Sequence, residues 1–507
     1  MKKNTNMLVQ LFITFLAVLS IIAIPTIKSV FAEDMTNFDK KEKVSVTINK
    51  RIWTDETPDE VQNTGEEMPD FGGEPLNGAE FTVYDVTDKY YELSEEEGSD
   101  QKKVVEAIQA DAAQSAPSYA TKIDSKVTTG QGQATFTNLD IKNASNRYHV
   151  YLFLETKTPN NVTVTKKSTP IVLAMPIYKV DAKQEFTDEL NTNIQLYPKN
   201  ETATDTKEFT NVDSFEEVTV GDQTFANVTI GDILSYKLTI NIPANIGDSN
   251  AVTSFKIHDK PSVGLALKDE TVEVGDLQKD DDYTIDFADG GFTIALNLES
   301  DKVKALAGQK LELNYDMQLT AEVNPDELQN NKASVQINDE PEQEITPPMP
   351  VGTGGYKFVK KDSRTGKELS GAEFVVANAD QTKFAKFAAQ KNLKGEYVFE
   401  SWVDSKAAAS RVISDDKGSL KVIGLVNGEY ILNEVKAPSS DYVLLKDGTI
   451  TFTVEHGQYG TSELEVMNTP KGLLPSTGGV GTYTFLIVGV IMMATAALLV
   501  KKNKKQL

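Results

Sequence analysis

Apolar and polar positions alternate along most of the chain. Val44, Val46 and Ile48 are separated by polar residues, the period-two pattern of a strand with one buried face. The same texture returns between 225 and 323 in "FANVTIGDILSYKLTINIP", "YTIDFADGGFTIALNL" and "KLELNYDMQLTAEV". Turn residues interrupt these runs at close spacing, which predicts β-sandwiches. Helical spacing is confined to short stretches at 102–114, 301–307 and 383–391, expected as excursions between strands. The predicted class is all-β, with tandem immunoglobulin-like sandwiches and short helical inserts.

Two apolar runs do not alternate. The first, 11–24, follows Lys2 and Lys3 and leads to small residues ending at Ala32. That order is a secretory signal peptide, with cleavage expected after Ala32. The second, 483–500, carries no charge and is followed by Lys501, Lys502, Lys504 and Lys505. It has the length to cross a bilayer core, and its lysines mark the cytoplasmic side. The exported part between these ends, roughly 445 residues, suggests about three domains.

Composition narrows the function classes. The chain has 75 acidic and 51 basic residues, a net charge of −24, which argues against a nucleic-acid partner. It contains no cysteine, so neither disulfides nor thiolate catalysis are available in a compartment that permits them. His149, His258 and His456 are scattered, and the acidic runs 95–97 and 280–282 lack calcium-loop spacing. No metal or cofactor is expected. "GTGGY" and "GQGQ" lack the lysine of a phosphate loop.

The chain resembles itself. "PLNGAEFTVYDV" (75–86) matches "ELSGAEFVVANA" (368–379), and "YLFLETKTPNN" (151–161) matches "YILNEVKAPSS" (430–440). Similar domains therefore stand near each end of the exported chain. The proline cluster "TPPMPVGTGG" at 346–355 reads as a linker. The expected organisation is a signal peptide at 1–32, domains at 33–198, 199–350 and 351–472, and a sorting region at 473–507.

Leu474, Pro475, Ser476, Thr477 and Gly478, followed by the apolar span and the basic tail, resemble the LPXTG sorting signal of Gram-positive surface proteins. The resemblance implies that a sortase thiolate attacks the carbonyl of Thr477, releases everything from Gly478 onward, and passes the acyl group to an amine. The span is then temporary.

"FVKKD" with Lys360, "LSGAEF", "ILNEV" with Glu434 and "LEVMN" with Asn468 resemble Cna B-type domains. Such domains form an intramolecular lysine–asparagine isopeptide bond assisted by a glutamate. The chemistry is intelligible: burial disfavours the charged forms of both amine and carboxyl. A neutral amine can then attack the asparagine amide while the acid relays protons, with folding supplying proximity. The plain alternative is that each is a solvated surface residue, the common fate of Lys, Glu and Asn. The same template gives Lys50, Glu155 and Asn193 in the first domain, with Asn191 open as the acceptor. The middle domain resembles pilin relatives whose acid is aspartate, which gives Lys207, Asp259 and Asn331, with Asn330 open.

"LYPKN" at 196–200 resembles the pilin motif of Gram-positive shaft pilins, whose lysine amine attacks the sortase-bound threonine of the next subunit. Pro198 is expected to hold Lys199 extended and exposed at a domain junction. The resemblance implies a class C pilus sortase, a housekeeping sortase with a peptidoglycan precursor, further copies of the chain, minor and tip pilins, and a host surface ligand as partners. It implies a wall-anchored surface pilus serving adhesion and biofilm formation. A monomeric wall-anchored adhesin would share the sorting signal without needing Lys199. A surface hydrolase would need paired carboxylates at catalytic spacing, and the sequence shows none.

Overall fold

The computed structural model describes residues 42–59, 61–96, 100–159, 162–181, 185–268, 272–445, 447–461, 463–472 and 481–503, without the side chains of 481–484 and 499–503. The signal peptide and Leu474 to Gly478 lie outside this set. The chain forms two compact units, 1–352 and 353–507.

The first unit begins with a sandwich. Strand Lys43–Asn49 lies between Asn193–Leu196, which runs parallel to it, and Gln133–Asp140, which runs antiparallel. A second sheet has Glu80–Asp85 paired to Thr121–Val127 and to Val150–Lys157, with Ile171–Ala174 beyond. Alternation turns Val44, Val46, Ile48, Phe81, Val83, Phe153 and Ile194 into one buried core. At Lys50 the opening strand breaks and resumes as Arg51–Thr54, which pairs in parallel with Lys199–Thr202. The boundary expected after Pro198 thus falls inside a strand pairing: Arg51 N–H donates to Pro198 O at 3.1 Å, so the first sandwich runs on through Thr202.

Helices α1 (Thr87–Glu96) and α2 (Gln101–Asp111) cover the outer face of the second sheet through Tyr90, Val104, Ile108, Leu152 and Val172. The α2 helix falls on the stretch expected at 102–114, beginning one residue earlier. The α1 helix was not expected, because its sequence is mostly polar. Its local signal is Asp85, whose carboxylate accepts from Thr87 N–H at 2.9 Å, as an N-terminal capping side chain does.

The second sandwich also lies in this unit. One sheet carries Thr206–Phe209, Leu234–Asn241 and Lys310–Leu319; the other carries Gly291–Leu296, Phe255–Pro261 and Asn331–Ile337. The short helix α3 (Asp301–Ala305) stands where helical spacing predicted one.

In the second unit, Gly354–Asp362 pairs antiparallel with Ser419–Leu425 and parallel with Glu463–Asn468. A second sheet contains Glu373–Asn378, Gly428–Lys436 and Thr449–Val454. The core includes Phe358, Phe374, Leu432, Phe452 and Val466. The helix expected at 383–391 is instead strand Phe384–Phe387, paired with Tyr397–Val403 through a register shift at Lys386 and Phe387. That irregularity buries Phe384, Ala385 and Phe387 while Lys386 stays exposed, so the apolar spacing imitates a helical period. Helix α4 (Gly481–Asn503) covers the apolar stretch at 483–500. Among the described residues no helix is long and apolar enough to cross a membrane, so the span rests on the sequence pattern.

Candidate functional site

The repeated sequence elements build two similar pockets, one in each unit. Lys50 N–H donates to Gly132 O at 2.7 Å, and Lys50 O accepts from Leu76 N–H at 3.0 Å. In the second unit Lys360 N–H donates to Gly418 O at 2.7 Å, and Lys360 O accepts from Leu369 N–H at 2.8 Å. Both glycines need to be glycines. Gly132 and Gly418 have φ of +75° and +67°, and a Cβ on either would lie 2.4 Å or 2.5 Å from the lysine carbonyl oxygen. Leu76 and Leu369 open the repeated "GAEF" elements, whose phenylalanines face the amines: Phe81 lies 5.4 Å from Lys50 Nζ and Phe374 lies 5.9 Å from Lys360 Nζ. Each phenylalanine is paired across its sheet with the pocket's acid, Phe81 with Glu155 and Phe374 with Glu434.

In the first pocket Lys50 Nζ donates to Glu155 Oε2 at 2.9 Å and to Asn200 Oδ1 at 2.6 Å. Asn200 Nδ2 donates to Glu155 Oε1 at 2.8 Å. The asparagine here is not the expected Asn193. Asn193 is exposed at the start of its strand, because Ile194 and Leu196 take the core-facing positions. Asn191 is buried elsewhere, donating to Gly65 O at 2.8 Å. Past Pro198 the strand keeps this parity, and Asn200, paired with Ile52, turns inward as Ile194 and Leu196 do. Lys50 and Asn200 are both 0% exposed. Burial lowers the Lys50 pKa, opposed by the charge and hydrogen bond of Glu155. Ser168, which the sequence did not single out, donates its N–H to Asn200 Oδ1 at 2.7 Å and its hydroxyl to Glu155 Oε2 at 2.9 Å. Its N–H and the lysine both polarise the amide carbonyl.

In the second unit Lys360 Nζ lies 3.6 Å from Glu434 Oε1 and donates to Val466 O at 2.9 Å. Glu434 Oε2 accepts from Asn468 Nδ2 at 3.0 Å and from Leu445 N–H at 2.7 Å. The parallel pairing of Gly354–Asp362 with Glu463–Asn468 brings Lys360 and Asn468 to adjacent strands. Asn468 Oδ1 and Glu434 Oε1 are buried without a hydrogen-bond partner among the described residues. Burial pulls the Lys360 pKa down to about 8, against the pull of Glu434.

In the middle sandwich Lys207 Nζ donates to Asp259 Oδ2 at 2.5 Å. Tyr236 and Tyr315 wall the amine, with ring centroids 5.5 Å and 5.6 Å from Nζ. Asn331 Nδ2 donates to the Tyr315 hydroxyl at 3.3 Å, and that hydroxyl donates to Asp259 Oδ2 at 2.5 Å. Asn330 is half-buried, with its backbone tied to Ser262. Burial lowers the Lys207 pKa to about 8 and raises that of Asp259, moving both towards their neutral forms. Asp259 Oδ1 and Asn331 Oδ1 have no hydrogen-bond partner among the described residues. In each sandwich, then, a desolvated amine, a buried acid and a buried primary amide share one pocket, the ingredients of a transamidation.

Lys199 begins the strand Lys199–Thr202. It is half-buried, where full exposure was expected. Its amine donates to Asp59 O and sits 5.1 Å from the ring centroid of Phe71. Phe71 packs in turn on Trp53 and Tyr197. Lys199 lines a cleft of about 180 Å³ together with Asp59, Lys166, Thr169 and Tyr197. Neighbouring residues of a strand point to opposite faces, so Lys199 borders the cleft while Asn200 enters the Lys50 pocket. The other expected partner, Thr477, lies outside the described residues. Among those residues no cluster of side chains suited to a metal ion occurs.

Comparison with known proteins follows the same division. Residues 41–201 match the family model of the Gram-positive pilin subunit D1, N-terminal domain. Residues 354–470 match a prealbumin-like fold domain, and 467–506 match the LPXTG cell wall anchor motif. A fimbrial subunit type 2 of Actinomyces naeslundii is 24% identical over 556 aligned residues, covering 100% of this chain and 98% of that protein. The full-length RrgB pilus protein of Streptococcus pneumoniae shares the fold with a TM-score of 0.51 at 17% identity, covering 86% of this chain and 99% of that one. The full-length major pilin SpaD of Corynebacterium diphtheriae gives a TM-score of 0.45 at 22% identity, with coverage of 86% and 99%.

Proposed function

The chain belongs to the Gram-positive pilin subunits, and from that premise we propose that it is the repeating shaft unit of a pilus, joined from Thr477 of one copy to Lys199 of the next. It is a secreted protein anchored to the cell wall. The observation that carries the polymerisation reading is the pair Lys199 and Asn200. One strand offers an amine to a cleft and locks its next residue into a buried pocket. A nucleophile so held keeps a fixed position relative to the core, which favours attack on a bound acyl group.

The reaction needs a thiolate, and the chain has no cysteine, so a class C sortase supplies it. The sortase breaks the bond between Thr477 and Gly478, holding the threonyl carbonyl as a thioester while the glycine amine departs. Lys199 Nζ then bonds to that carbonyl, and the thiolate is restored. The apolar stretch at 483–500 holds the precursor at the membrane until cleavage. A housekeeping sortase passes the base of the finished fibre to a peptidoglycan precursor. Minor and tip pilins and a host surface ligand complete the assembly, and adhesion and biofilm formation are its roles.

Inside each subunit the buried lysines bond to the asparagine amides, Lys50 to Asn200, Lys207 to Asn331 and Lys360 to Asn468, each releasing one ammonia. Such ties close long loops and restrict the unfolded chain as a disulfide does, in a protein that has no disulfides.

The test is an immunoblot of denatured wall extracts comparing wild type with Lys199→Ala. The expected result is a high-mass ladder in the wild type that disappears in the variant. A single band in both strains would refute polymerisation and leave a monomeric wall-anchored adhesin.

A further inference from the structure

The middle pocket differs from the other two in one respect that its lysine, acid and amide do not explain. In the first and last pockets the amide nitrogen hydrogen-bonds to the acid itself, Asn200 Nδ2 to Glu155 Oε1 at 2.8 Å and Asn468 Nδ2 to Glu434 Oε2 at 3.0 Å. In the middle pocket the amide nitrogen of Asn331 donates to the Tyr315 hydroxyl, and that hydroxyl donates to Asp259 Oδ2. Asp259 also feels Asn331 directly, as a minor influence on its titration. Aspartate is one methylene shorter than glutamate, and the phenol fills the interval.

We propose that Tyr315 is a fourth catalytic residue of the middle pocket, a proton relay between Asp259 and the departing nitrogen of Asn331. The inference rests on the transamidation reading of the Lys207, Asp259 and Asn331 pocket. Neutral Lys207 Nζ bonds to the side-chain carbonyl carbon of Asn331, giving a tetrahedral centre whose amide nitrogen has regained a lone pair. The lysine nitrogen loses a proton to Asp259, which it already touches at 2.5 Å. The Tyr315 hydroxyl gives its proton to the amide nitrogen and recovers one from Asp259. The carbon–nitrogen bond breaks and ammonia leaves. No proton is gained or lost overall, and each donor ends as it began.

The surroundings suit this role. Tyr315 is buried on strand Lys310–Leu319. Phe292 meets it edge-on and Tyr236 stacks against it, with ring centroids 5.0 Å and 5.9 Å away. The ring therefore has little freedom, and the hydroxyl is held between the acid and the amide. Burial and the neighbouring Asp259 raise the phenol's pKa well above its ordinary value, so the hydroxyl stays protonated until the departing nitrogen calls for a proton. Tyr236 provides an internal contrast. It walls the same amine, but among the described hydrogen bonds none joins its hydroxyl to Asp259.

The experiment follows linkage in newly made full-length chain. Synthesis is stopped at intervals with acid, the chain is digested, and the peptides joined through Lys50, Lys207 and Lys360 are quantified by mass spectrometry. Tyr315→Phe keeps the ring and removes only the hydroxyl. The expected result is a middle link that forms on the order of a hundredfold more slowly, within the range of general acid–base contributions. The other two links in the same molecules keep their wild-type rates, which shows that the variant chain has folded. Tyr236→Phe, which keeps the ring that walls the amine, should slow the middle link far less than Tyr315→Phe does and leave the other two links at their wild-type rates. A middle link forming at the wild-type rate in Tyr315→Phe overturns the proposal. So does an equal slowing in Tyr236→Phe, which would trace the effect to aromatic packing. Absence of the middle link from wild-type chain would instead refute the reading on which the proposal rests.

Discussion

Replacing Asn200 by alanine tests the assignment that separates the structure from the sequence pattern most sharply. Lys50 and Asn200 are 150 positions apart. By the loop-closure relation used for disulfides, a tie across that separation stabilises the first sandwich by about 5 kcal/mol. For a domain of this size each kcal/mol moves the melting temperature by about 2–4 °C, so Asn200→Ala should lower the first sandwich's transition by about 10–20 °C. The Lys50–Glu155 pair at 2.9 Å survives the substitution, so the loss comes mainly from the missing tie. Intact mass of the full chain should show the variant retaining one ammonia more than wild type, after allowance for the residue change. Calorimetry should show the other transitions in place. Asn193→Ala is the control: an exposed position remote from the pocket, expected to leave the mass loss complete and the transition within about 0.5 kcal/mol of wild type. If Asn200→Ala still loses as many ammonias as wild type, or Asn193→Ala loses one fewer, the assignment is wrong.

Four further outcomes are expected. Glu434→Ala removes the acid beside a fully buried amine, so the chain should retain one ammonia and the melting transition of the second unit should fall. The rate of linkage at Lys207 and Lys360 should climb with pH and level off above about 8, the value to which burial lowers both amines; a rate independent of pH from about 6 to about 10, two units either side of that value, would contradict attack by the neutral amine. In Asn468→Ala, Lys360 remains a titrating amine with a folded pKa of about 8 against an ordinary 10.5. The unfolded chain then binds more protons between those values, so stability should rise with pH across that window and be lower below it, as denaturant melts at several pH values would show. Gly418→Ala forces a side chain onto a backbone with φ +67° and into the Lys360 carbonyl oxygen; strain alone costs about 1–3 kcal/mol, read as a lower midpoint of unfolding for the second unit.

The sequence by itself determined the all-β class, the repeated "GAEF" elements and the lysines that begin each pocket. These are local signals: alternation fixes which residues of a strand face inward, and Lys50 and Lys360 stand in matching contexts. The cell wall anchor motif was legible too, because a sorting motif is read as a linear string. Other features needed the tertiary structure. Asn200 shares the inward parity of Ile194 and Leu196 and Asn193 does not, but that the strand continues past Pro198 beside Ile52, bringing Asn200 to Lys50, is shown only by the pairing. Phe384–Phe387 could satisfy a helical or a strand period, and pairing with Tyr397–Val403 chose the strand. Ser168 and Tyr315 reach their pockets from remote segments, and no short-range pattern announces that contact. Periodicity states which face of an element is apolar; which remote element will supply a buried hydrogen bond is decided when the chain closes on itself.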